Sequence, residues 1–88
     1  MTKITYIIDG KQENIYWAAS EDFTELKGKT FNLSEMTAQQ IYLMSDFSSV
    51  TKLLLSAIAG AVIQHAMDQG IEAGIVFAGV FMVEERML

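Results

Sequence analysis

Bulky apolar residues recur at every second position near the start of the chain, at Ile4, Tyr6 and Ile8, with Thr5 and Ile7 between them. Period two is the signature of a half-buried strand. Asp9-Gly10 is a favoured tight-turn pair, and Glu13-Asn14-Ile15-Tyr16-Trp17-Ala18 returns as a second strand former, so residues 3 to 19 predict a β-hairpin. Any even-length loop puts Ile15 and Trp17 on the face of Ile4, Tyr6 and Ile8, and Tyr16 with Thr5 and Ile7 on the other. The first is the expected core face.

Polar residues then dominate from Ser20 to Lys29. Ser20 suits the cap of one helical turn through Glu21, Asp22 and Glu25, ended by Gly28. Thr30 to Leu33 suits a short strand. Thr37-Ala38-Gln39-Gln40 fits a capping box, with Met36 and Ile41 as the flanking hydrophobic staple. The helix it opens is expected over about 38–46, with Met36, Gln40, Leu43 and Phe47 along its main side and Ile41 and Met44 near it. Ser45 to Ser49 reads as a bend, because short polar side chains there compete for backbone hydrogen bonds.

A second helix is expected over 49–69, ending at Gly70. Its middle, Leu53 to Ile63, is apolar almost all round, and a helix of that kind is covered on more than one side. Gly60 costs about 1 kcal/mol against alanine in a helix interior, which predicts a close backbone contact there. Gly74 to Val83 is β-branched and aromatic on both parities and reads as a central strand buried on both faces. The fold class that follows is α+β, a single domain over 1–88. A small antiparallel sheet, built from the N-terminal hairpin, the C-terminal strand and a short strand near 30–33, packs on two helices at about 38–46 and 49–69.

Composition sharpens the consequence. Of 88 residues, 51% are hydrophobic, and mean hydropathy is +0.26. A domain of that size buries only roughly 60–68% of the surface its unfolded chain exposes. Residues 53–63 and 75–83 therefore carry more apolar area than the chain is expected to shelter alone, and a symmetric dimer sharing that area is the simplest cover.

Charge and cysteine content exclude some classes. The net charge is −5, and Lys27 and Lys29 form the densest basic stretch, which speaks against nucleic-acid binding. Without cysteine there is no disulfide or thiolate metal site. The apolar run after Lys3 stops at Asp9-Gly10 and does not read as a signal peptide, so a cytoplasmic location is expected. A membrane hairpin of runs 53–63 and 73–83 is weighed against by their length, about half of the roughly 20 residues a spanning helix needs.

No motif points to catalysis. Gly28-Lys29-Thr30 resembles the end of a phosphate-binding loop, but Phe23 stands where its first glycine belongs. His65 with Asp68 offers two metal ligands at best, and a site needs at least three. His65 is expected as a helix-end histidine facing water or a carboxylate. Glu21-Asp22 and Glu84-Glu85 read as solvated pairs rather than the differently tuned carboxylates of an acid–base couple. The expectation is a non-enzyme without metal or cofactor.

Aromatic and methionine positions supply candidate contacts. Trp17 is expected in the core, whereas Tyr16 and Tyr42 lie off the main apolar faces and suit an interface. Met44, Val76, Val80 and Met82 complete the candidate partner-binding set. The function this implies is a protein-interaction module, homodimeric, that binds or inhibits another macromolecule, as phage- and plasmid-type accessory proteins do. A membrane-associated helical hairpin and a small-ligand-binding domain are the alternatives.

Overall fold

Alternation at the N-terminus becomes a hairpin of β1 (Thr2–Ile8) and β2 (Lys11–Trp17) in the computed structural model, which describes residues 2–17 and 23–84. Ile8 pairs with Lys11, so the loop is Asp9 and Gly10 alone. Both have positive φ, 54° and 74°, which gives the turn a twist matching that of its strands. The even loop sets the parity: Ile4, Tyr6 and Ile8 are fully buried, Ile15 and Trp17 pack beside them, and Tyr16 faces outward.

Two further strands complete the sheet, β3 (Thr30–Asn32) and β4 (Val80–Glu84), in the order β2-β1-β4-β3 with every neighbour antiparallel. The last strand is thus internal. Phe81 and Val83 face the core, and Phe31 stacks on Phe81 at 5.3 Å between ring centroids. The expected turn starting at Ser20 lies partly outside the described residues, as do Glu85 and Arg86. What is described of that connector is a turn over 23–27 that sinks Phe23 and Leu26 into the core.

The first helix is shorter than its pattern suggests. α1 (Ala38–Tyr42) opens on the expected capping box: Thr37 Oγ1 accepts from the Gln40 amide, and the Gln40 side chain accepts from the Thr37 amide. It stops at Tyr42 rather than continuing to 46. The Met44 amide donates back only three residues, to Ile41, which closes the turn. The chain then brings Phe47 beside Phe31, at 6.3 Å between ring centroids. Ile41, expected beside the main side, carries the burial, and Leu43, expected on that side, is exposed.

α2 (Ser49–Asp68) starts at Ser48, whose hydroxyl accepts from the Thr51 amide, and is followed by Gly70 at φ 87°. Its buried side, Leu54, Leu55, Ile58, Ala59, Val62 and Ala66, lies on the sheet and forms the core with Ile4, Tyr6, Ile8, Phe31, Phe81 and Val83.

Residues 74–79 are not strand. Ala73–Val76 form a one-turn helix, α3, and β4 begins only at Val80. A short apolar run fits helix or strand equally well, and here the return from α2 to the sheet decides it. Gly79 makes that return possible. A Cβ on it would lie 2.3 Å from Ile8 Cγ1 and 2.9 Å from the Ile7 carbonyl oxygen, so only glycine lets the two backbones meet. Residues 80–84 being strand, the runs 53–63 and 73–83 do not pair as a helical hairpin. The Cα extents, 34 × 32 × 17 Å, describe a slab of two layers. Among the described residues, no layer lies over one side of α2 or over the outer face of the sheet.

Candidate functional site

Positions three or four apart on α2 define its open side: Val50, Leu53, Ala57, Gly60, Gln64 and Met67 are all exposed. Val50 and Leu53 are each 74% exposed, and it is their place together on one side of the helix, rather than either exposure alone, that is informative. Ser49, Ser56 and Gln64 are the polar members of this side. No charge stands in its middle: Lys52 lies at one rim near the start of the helix and Asp68 at the other rim near its end.

α1 extends the surface. Tyr42, 75% exposed, stands across a cleft of about 370 Å3 from Leu53, with Ala38, Ile41, Ser49, Lys52 and Ser56 as the other walls. Lys52 holds the cleft's shape: its Nζ donates to the Tyr42 carbonyl at 2.7 Å and sits 5.7 Å from the Tyr42 ring centroid. A cation at the last carbonyls of α1 is well placed against their partial negative charge. The cleft is apolar, with Lys52 as its one charged wall among the described residues.

The outer face of the sheet is more polar. Thr5, Asn14 and Glu84 meet there: the Thr5 hydroxyl donates to Glu84 at 2.6 Å, and Asn14 Oδ1 lies 3.0 Å from the same oxygen. Because one hydroxyl carries one proton, the Asn14 contact is satisfied when its amide turns to donate. Lys3 pairs with Glu84 at 3.2 Å. The Thr5 hydroxyl, followed by Lys3, holds the Glu84 carboxyl below its ordinary range. Ile7, Val80 and Met82 form a small apolar island inside this polar frame.

A third place is buried. Tyr6 spans the core from β1 to α2, and its hydroxyl lies 2.6 Å from His65 Nδ1 with the rings edge to face. His65 was expected to face water or a carboxylate; its partner is instead a core phenol. A cleft of about 200 Å3 opens beside the pair, lined by Tyr6, Lys11, Glu13, Gln69 and Ile71. Burial, with the Glu13 charge second, pushes the Tyr6 hydroxyl up from its ordinary pKa. That keeps the phenol protonated, the opposite of an activated nucleophile. The contact satisfies a buried polar group that the core would otherwise strand. Among the described residues no three His, Asp or Glu side chains converge as a metal site would require.

The six candidate contacts fall in three places. Tyr42 lies on the α1–α2 surface. Tyr16, Val80 and Met82 lie on the outer sheet face. Met44 packs against the core edge, and Val76 is wholly enclosed by its own chain, so it has nothing to offer a partner. Val76 is a contact candidate only if residues 74–83 are one strand; the α3 turn points it inward instead. Val50, Leu53 and Met67, among the largest apolar side chains on the open side of α2, are absent from the candidate set. With Leu53 to Ile63 apolar almost all round, only the burial of Leu54, Leu55 and Ile58 reveals which side is left over.

No family model, curated protein or solved structure matches this chain. The functional reading therefore rests on the surface itself.

Proposed function

We propose that this chain is a protein-interaction module without catalytic function, which associates with itself through the open side of α2 and acts by binding or blocking another macromolecule. The observation that carries this is the exposed row Val50, Leu53, Ala57 and Met67, with Tyr42 beside it. A contiguous apolar patch of that extent on a small domain marks an interaction site, because leaving it in water forfeits the burial that would otherwise stabilise the chain. The outer sheet face, with Tyr16, Ile7, Val80 and Met82, is then left for a second protein. A cytoplasmic setting fits this role.

Molar mass measured without detergent from nanomolar to submillimolar protein tests the first half, and affinity capture with the dimer tests the second. A mass that climbs to twice the chain's with concentration supports the proposal. A single-chain mass throughout contradicts it.

One observation favours a second reading. Ser49–Asp68 is long and apolar enough, by length and composition alone, to cross a membrane. The side of α2 that forms the core belongs to the sheet, however, so a bilayer would meet the open side only. Sedimentation with neutral vesicles separates the readings: binding that competes with self-association favours the membrane.

A further inference from the structure

Gly60 is unexplained by the described residues of its own chain. It sits in the middle of a twenty-residue helix, where glycine is unfavourable, yet a Cβ added there would meet nothing within 4 Å. The close contact expected at this glycine is therefore not made by any of the described residues. Around it the open side is balanced. Leu53 stands seven residues before Gly60 and Met67 seven after, and seven residues are two turns, so all three lie on one line of the helix. Lys52 and Asp68 stand eight residues to either side, about 12 Å along the axis.

We propose that two copies of the chain pair through α2 in antiparallel orientation, crossing at Gly60. This rests on the self-association proposed above and adds its geometry. The antiparallel sense follows from charge. Turning one helix end for end brings each Lys52 to the level of the partner subunit's Asp68, across the contact from it, so that opposite charges rather than like ones share each end. A parallel pair would place Lys52 with Lys52 and Asp68 with Asp68, and would align the two helix dipoles. The same turn sets Leu53 in one layer with the partner's Met67, a large side chain beside a large one, while glycine meets glycine where the axes come closest.

A second copy also fits by area. From their exposures, Tyr42, Val50, Leu53, Ala57 and Met67 present on the order of 600 Å2, approaching the roughly 800 Å2 per partner that a standard-size interface buries. The residues between them raise the figure further.

The chain lacks cysteine, so disulfide trapping needs no background removal. Leu53→Cys and Met67→Cys chains, one carrying a mass tag, are mixed and mildly oxidised, with the molar mass of the unoxidised mixture measured alongside. Both positions are exposed, so neither variant threatens the fold. The mixture is expected to give the mixed dimer in clear excess, and either variant alone is expected to cross-link several-fold less. Gly60→Ala is expected to weaken self-association about tenfold while leaving the subunit folded, because the added methyl groups separate the axes at the crossing. Efficient self-cross-linking of Leu53→Cys overturns the antiparallel sense. A dimer by mass that yields no cross-link at either position, or that is indifferent to Gly60→Ala, overturns the α2 contact while sparing self-association. A single-chain mass at every concentration removes the underlying reading itself.

Discussion

Replacing Gly79 with alanine probes the tightest joint in the fold. The new Cβ would stand 2.3 Å from Ile8 Cγ1, 2.9 Å from the Ile7 carbonyl oxygen and 3.2 Å from Ile8 Cβ. None of these atoms is the free end of a flexible side chain. Ile8 is fully buried, so rotating it away moves the clash into the core, and the carbonyl belongs to the β1 strand that pairs with β4. Overpacking of this kind typically costs about 1–3 kcal/mol, and a backbone atom on one side places this case at the upper end. Alanine recovers roughly 0.4–1 kcal/mol by restricting the unfolded chain, which leaves a net loss of about 2 kcal/mol. For a domain of this size that is a fall in Tm of roughly 8–16 °C. Urea unfolding followed by tryptophan fluorescence reads the loss as a lower midpoint at unchanged m-value. Ile8→Ala in the Gly79→Ala background supplies the internal control. It removes the nearest atom, so the double variant is expected to lose less than the two single losses combined. A Gly79→Ala protein as stable as the parent would refute the proposed close approach of the α3–β4 turn to β1.

Other perturbations follow the same geometry. Leu55→Ala, at a fully buried site, is expected to lose about 2–5 kcal/mol in denaturant titration, whereas Leu53→Ala at protein concentrations favouring the monomer is expected to lose little. Tyr6→Phe removes the hydroxyl from His65 and is expected to cost about 1 kcal/mol, measured the same way. Thr37→Ala removes the side-chain half of the α1 cap, leaving the backbone amide free to donate to Gln40, and is expected to cost roughly 1 kcal/mol, with the loss of amide-exchange protection confined to residues 38–44. In alkali, the native Tyr6 hydroxyl titrates above its unfolded value of 10.0, so the native state holds its proton longer; stability is complete below that pH and falls as pH rises toward the native value. Glu84 works in the other direction. Its native carboxyl titrates below 4.5, so its small contribution is present above that pH and is lost as pH falls through the native value, an effect that Thr5→Val is expected to reduce, with the Lys3 part remaining.

How far the chain could be read in advance depended on whether a feature was local. The Asp9-Gly10 turn fixed the parity that placed Ile4, Tyr6, Ile8, Ile15 and Trp17 together, and Thr37 with Gln40 announced the start of α1. Gly70 marked the end of α2 for the same reason. Each of these is settled within a few residues by backbone geometry. The return from α2 to β4 was not legible, because Ile75-Val76-Phe77 suits a strand by composition and became a turn of helix through the demands of chain reversal. Gly60 and Gly79 look alike in sequence, each a glycine in an apolar run. Only the fold shows that Gly79 is the one crowded by its own subunit. The Tyr6–His65 contact joins residues fifty-nine apart, beyond the reach of any local pattern. The leftover apolar area was legible as an amount and illegible as a place: which side of α2 stays open follows from how the sheet takes Leu55, Ile58 and Val62.

Sedimentation equilibrium of the parent chain beside Leu53→Glu tests most directly whether that open side is covered by a second copy. Glutamate at this exposed position leaves the subunit's own core untouched, so circular dichroism should match the parent. The expected result is a concentration-dependent dimer for the parent and a single-chain mass for the variant across the same range. A parent that never exceeds its single-chain mass, or a variant that dimerises as well as the parent, would show that the open side of α2 is not where two copies meet.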